Sequence, residues 1–175
     1  MKLGLTSLAA AGIALFAMLA SSQAGAPVRA ATDTQAFAGP PKVQTMYGHI
    51  RSLVRRGARY ELRLDPAFWL QGVTAQRAAV ADGVLAPGEP VPNDYYIRDE
   101  SRRVLTFLVP ASARATVLTN PGEIQSTRVP ISELAQIVKG KNPNHRKLYD
   151  RANVLGYWLR YSADRVLTLD QQYQP

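Results

Sequence analysis

Two histidines, His49 and His145, and a few clustered carboxylates are the groups in this 175-residue chain that could exchange protons with a substrate. A serine hydrolase needs a hydroxyl nucleophile held on a sharp turn beside a base. No G-x-S-x-G elbow is present, and the serines and histidines share no such arrangement. A hydrolytic zinc site draws on two or three histidines with carboxylates, yet H-E-x-x-H is missing. His49 therefore reads as a strand residue at the edge of the core, and His145 as a solvated loop residue beside Arg146. Asp94, Asp99 and Glu100 form the best pair-forming cluster for glycoside hydrolysis, where carboxylate separation sets the mechanism. Asp99 and Glu100 fall in a predicted turn, where acidic residues serve backbone geometry far more often than catalysis. The spaced oxygens of an EF-hand loop are missing. With no cysteine, disulfides, thiol catalysis, iron–sulfur clusters and cysteine-rich zinc sites are excluded. The expectation is no catalytic residue, no metal ligand and no cofactor.

The basic residues give the more coherent signal. Lys and Arg number 21 against 13 Asp and Glu, a formal net charge of +8, which favours polyanions without dictating a fold. Arg51, Arg55, Arg56, Arg59 and Arg63 crowd one segment, Arg98, Arg102 and Arg103 a second, and Lys139, Lys141, Arg146, Lys147 and Arg151 a third. Aromatic rings are interleaved with them: Tyr47, Tyr60, Tyr95, Tyr96, Tyr149, Trp158 and Tyr161. Charge combined with stacking faces is how a β-rich surface holds a polyanionic strand. The candidate ligand-binding residues are accordingly Arg55, Arg56, Arg98, Arg102, Arg103, Tyr95, Tyr96, Lys141, Arg146 and Lys147. Plain solubility is the competing explanation, since strands with one wet face need polar residues.

These side chains must be positioned by short elements. Val43, Thr45, Tyr47 and His49 alternate with their neighbours as a strand does. After the turn Arg55-Arg56-Gly57, Ala58, Tyr60, Leu62 and Leu64 alternate with Arg59, Glu61, Arg63 and Asp65. Pro66 predicts the end of that strand, with Phe68, Trp69 and Leu70 as an apolar plug. Thr74 is placed to cap a helix over Ala75–Ala81, ended by Gly83. Pro87, Gly88, Pro90 and Pro92 mark Ala86 to Asp94 as loop. Tyr95–Arg98 and Arg102–Val109 predict a second hairpin around Asp99-Glu100-Ser101, and Arg114–Thr119 a further strand before Asn120-Pro121-Gly122. Pro130 and Ser132 open a second helix carrying Leu134, Ile137 and Val138. Lys141–Asn153 reads as a candidate binding loop, and Leu155 to about Gln172 as a closing hairpin around Ser162-Ala163-Asp164. The expected class is α+β with β dominant: a small antiparallel sheet or partly open barrel of five to seven strands with two short helices.

The first 24 residues read as a cleavable signal peptide. Lys2 is followed by an uncharged run from Leu3 to Ala20, and Ser22-Gln23-Ala24 offers the small residues at a cleavage site. A permanent anchor is the competing reading, disfavoured by the Ala-rich composition. Residues 25–42 read as a flexible lead and 43–175 as a single β-rich domain. The expected destination is periplasmic, cell-wall associated or extracellular, with nucleic acid an unsuitable partner there and no membrane span after cleavage.

Four strings, Asp65-Pro66-Ala67-Phe68-Trp69-Leu70, Gly72-Val73-Thr74-Ala75, Pro92-Asn93-Asp94-Tyr95-Tyr96-Ile97-Arg98-Asp99 and Leu169-Asp170-Gln171-Gln172-Tyr173, resemble a group of small exported bacterial proteins without an assigned activity. The resemblance covers most of the chain from about Tyr47. It implies a bacterial, exported, single-domain protein and transfers no catalytic residue. The expected function is an exported, non-enzymatic binding or envelope-associated module with a basic surface for an anionic polymer or protein. The alternatives are an envelope hydrolase with a carboxylate or histidine cleft, and an accessory or inhibitor protein.

Overall fold

The computed structural model describes residues 41–99, 103–150 and 153–175. The leader reading and nearly all of the lead segment lie outside them. The elements run β1 (Val43–Arg56), β2 (Arg59–Gln71), α1 (Gly72–Ala81), β3 (Tyr95–Arg98), β4 (Leu105–Pro110), β5 (Arg114–Thr119), β6 (Gln125–Val129), α2 (Ile131–Ile137), β7 (Tyr157–Ser162) and β8 (Arg165–Gln171). The class is α+β with β dominant, built on an eight-stranded sheet with two short helices.

Period-two patterning accounts for the first hairpin. Leu53 pairs with Leu62 and Ile50 with Leu64 across β1 and β2, so their apolar side chains share one face. Between the strands Gly57 takes φ +60°, a conformation that costs a side-chain-bearing residue about 1–2 kcal/mol. Gly57→Ala is expected to lower stability by about 1 kcal/mol in a urea titration with the slope unchanged, since nothing lies near the added methyl.

β1 pairs on its other edge with β7, and β7 with β8, both antiparallel. β4 pairs along β2 from Arg59 to Leu64 and touches β8 through Leu108 and Arg165, closing part of a ring. Inside it Leu53, Leu62, Leu64, Val109, Leu159, Val166 and Leu169 are essentially fully buried, each contributing about 1.5–3 kcal/mol of burial. α2 adds Ile131, Leu134 and Ile137 to this core.

Several details differ from the sequence expectations. β2 does not stop at Pro66. It continues to Gln71, because Asp65, Pro66 and Ala67 fall between the residues paired with β4 and those paired with β3. An edge without a partner there tolerates a missing N–H. The plug Phe68–Leu70 is thus strand, with Phe68 exposed. The predicted second hairpin does not form: β3 and β4 both pair with β2, at successive places along one edge. α1 starts at Gly72 with Gln71 as its N-cap, so Thr74 lies inside the first turn. Asn120-Pro121-Gly122 leads into β6, a strand not foreseen, which pairs with β5. The sheet is mixed, since β5 lies parallel to β8. Among the described residues no helix is long and apolar enough to cross a membrane.

Candidate functional site

Side chains at alternate positions of β1, β2, β5, β6, β7 and β8 face away from the core. On this outer face the register builds two neighbouring features. Tyr47 on β1 lies opposite Ala67 on β2 and Trp158 on β7, and Trp69 follows two residues after Ala67. Tyr47 packs edge-on against both indoles, with ring centroids 5.2 Å apart in each case, and Tyr95 of β3 stacks on Trp69 at 4.2 Å. Such geometry matches the preferred arrangements of aromatic quadrupoles.

The rings are locked from behind. Tyr47 Oη accepts a hydrogen bond from Gln174 Nε2 at 2.6 Å, and Trp158 Nε1 donates to Gln172 Oε1 at 3.0 Å. Burial pushes the Tyr47 phenol above its ordinary value, outweighing its hydrogen bonds to Gln174 and the Gly156 backbone. Where the start of β1 and the end of β2 splay apart to different partners, a groove of about 480 Å³ opens at the edge of the sheet, bounded by the outward rings Tyr47, Trp69 and Trp158 on one side and on the other by Met46 and Leu105, which pack against the core. Its wall is mainly apolar, the character of sites that hold flat or ring-faced ligand units.

The second feature lies beside it on the same face. Arg160 on β7 is opposite Thr168 on β8, which is opposite Arg114 on β5; Asp170 is opposite Thr116, and Thr116 opposite Arg128 on β6. These six residues line a concavity of about 340 Å³. Thr116 Oγ1 donates to Asp170 Oδ1 at 2.9 Å. None of the three arginines takes part in an ion pair or side-chain hydrogen bond among the described residues. They leave a net surplus of positive charge around one carboxylate.

The residues singled out from the sequence are dispersed. Arg55 and Arg56 sit at the tip of the β1–β2 hairpin, eight and nine residues along β1 from Tyr47, roughly 26–30 Å away. Arg55 donates to Gly57 O at 3.1 Å, and Arg56 faces Glu61 at 3.9 Å with both side chains well exposed, a contact of little worth. Tyr95 stacks on Trp69 and does not itself line the groove. Tyr96 donates to Asp82 Oδ2 at 3.0 Å and Arg98 to Asp82 Oδ1 at 2.7 Å, tying β3 to the end of α1. Arg103 is exposed, and Arg102 lies outside the described residues.

The late loop is a brace rather than an open arm. Arg146 forms a fork with Glu133 of α2, at 2.5 Å from Nε and 3.0 Å from Nη2, while Asn142 closes the loop through both its amide atoms. Leu148 is buried and Asp150 accepts from the backbone of Val154 and Leu155. Lys141 and Lys147 stay exposed.

The proton-transfer candidates do not converge on either feature. Asp94 and Asp99 are exposed, His145 is exposed at φ +48°, and Glu100 lies outside the described residues. His49 is half-buried with its ring edge-on to Tyr47 at 5.8 Å, outside the groove lining. Among the described residues no group of three or more His, Asp and Glu gathers as a metal site.

Sequence reading named Tyr47, Tyr95 and Trp158 among the rings but missed Trp69 as their partner. It did not associate Arg114, Arg128 and Arg160. Outward parity on each strand was the available signal; the parallel pairing of β5 with β8, which brings them together, leaves no local mark. Comparisons with protein-family models, curated proteins and solved structures gave no match.

Proposed function

We propose that this chain is an exported, non-enzymatic binding module that holds an anionic polymer along the outer face where the aromatic groove meets the arginine rows. The observation that carries the reading is Trp158. It stands in the groove beside Tyr47, two residues from Arg160 on the same strand and face, directly opposite Asp170 in the arginine concavity. A polymer whose repeating units have an apolar face and an acidic group would meet both features at once. Aromatic faces contribute ring contacts, and unpaired guanidinium groups contribute charge-assisted hydrogen bonds in a bidentate fork. The uncharged run after Lys2 supports export, which fits a bacterial envelope polymer or an extracellular one.

The test uses heparin and inorganic polyphosphate as probes, read by the two tryptophans, both of which lie in the groove. Binding is expected to change their emission. With three arginines engaged, affinity is expected to fall about 20- to 40-fold as salt rises from about 50 to about 200 mM. Arg160→Gln should flatten that dependence by about one contact's worth. Neither probe being retained at low salt, or a salt slope unaltered by Arg160→Gln, overturns the reading.

A further inference from the structure

We propose that the hydroxyl of Thr168, together with Arg114, Arg128 and Arg160, forms a discrete seat for a tetrahedral oxyanion ester, phosphate or sulfate. The inference rests on the reading of this face as an anion-binding surface and deepens it by naming the group bound.

Thr168 is the unusual residue. It points out of the sheet, opposite in sense to Leu169, yet only 6% of it is exposed. Its two cross-strand neighbours are Arg160 and Arg114, and the long apolar stems of arginines cover a short side chain between them. Its Oγ1 is buried with no hydrogen-bond partner. A hydroxyl can donate once and accept twice, and leaving all of that capacity unused inside protein is unfavourable. An unsatisfied polar atom at the floor of a concavity rimmed by three unengaged guanidinium groups offers the donors that an anion's oxygens accept from.

The chemistry selects the ligand. An incoming group must accept from several N–H forks and from the threonine O–H, so it is an acceptor with oxygens pointing in several directions. A tetrahedral ester meets this; a planar carboxylate satisfies one fork and leaves the others idle. Asp170 would oppose any anion, but its Oδ1 is already held by Thr116, and three cations against one carboxylate keep the concavity attractive. The open outer side leaves the ester's organic arm free to run toward Trp158.

The experiment is an amide NMR titration of the purified protein with methyl phosphate, methyl sulfate and acetate at constant ionic strength. Saturable shifts centred on Thr168, Arg160 and Arg114 are expected with at least one of the two esters, at millimolar concentration, and at least tenfold weaker with acetate. The stronger of the two esters identifies the source. Arg114→Gln combined with Arg160→Gln should weaken binding at least tenfold. Thr168→Val should weaken it severalfold, and Thr168→Ser, which restores the hydroxyl, should recover it; the serine variant also separates a lost hydrogen bond from a disturbed sheet. Equal shifts with acetate, or shifts that persist in the double arginine variant, overturn the seat. Retention of heparin without site-specific ester binding sinks the seat while the broader polymer reading stands. Ester binding without polymer retention does the reverse.

Discussion

Replacing Arg146 by alanine is expected to lower stability at pH 7 by about 3 kcal/mol, a large fraction of what holds a domain of this size. The reason is Glu133. It sits in the first turn of α2 with only 3% of its side chain exposed, and Arg146 is its forked partner. Removing the guanidinium leaves a carboxylate in a dry place, the costly half of breaking a buried pair. The pH dependence gives a sharper check. Arg146 holds the Glu133 carboxyl below its ordinary value near 4.5, against the opposing effect of burial, with Asn144 helping. A depressed carboxyl contributes stability that is present above the unfolded value and lost as pH falls through the folded one. Wild-type protein therefore loses this contribution below about pH 4.5. In Arg146→Ala burial is opposed only by the smaller effect of Asn144 and raises the same carboxyl, so the deficit seen at pH 7 should shrink as pH approaches 4.5. Adding Glu133→Gln to that variant should recover a large part of the loss at pH 7. Denaturant titrations across this range read the effect, and a deficit independent of pH would show that the pair is not its source.

The case of Arg146 shows what could be read in the linear chain. Its basic neighbourhood, Lys139 to Arg151, suggested an open binding loop, because charge and a polar Asn-Pro-Asn run look alike whether they face solvent or clamp a helix. Nothing local announces that Glu133, thirteen residues earlier, turns inward. The β1–β2 and β7–β8 hairpins were legible, since alternation and a tight turn are both local properties. The same alternation places Arg160 and Arg114 on wet faces, while Arg128 lies on β6, which the sequence did not announce. Their association needs β5 to run parallel to β8 and β6 to fold back on β5. Parallel pairing joins segments with no turn between them, so its register is fixed by core packing of Ala115, Val117 and Leu169 and not by any short string. Pro66 misled for a related reason: a proline ends a strand only where the lost N–H had a partner.

Gly156→Ala is expected to cost about 3 kcal/mol and to dismantle the groove. An added Cβ would lie 2.2 Å from Tyr47 Oη and 2.3 Å from its Cζ, far inside contact distance. Tyr47 is only 2% exposed and cannot swing aside without displacing the rings packed on it, so overpacking of this kind falls at the upper end of its usual range. The damage should spread along the contacts already described. Tyr47 loses its hydrogen bond from Gln174, in the C-terminal tail whose last carbonyl, Pro175 O, accepts from Asn93 Nδ2, and both indoles lose their edge-on partner. Because the chain's two tryptophans are Trp69 and Trp158, native-state emission should shift even where the protein remains folded. Polyanion affinity should fall at least tenfold in the same variant, since the aromatic wall is displaced while the arginine concavity is untouched. A double-mutant cycle isolates the cause. Tyr47→Ala alone should be strongly destabilising, but in the Gly156→Ala background it should cost far less, because the clash has already displaced the ring. Additive losses would mean that the glycine is required for some reason other than the tyrosine lying across it.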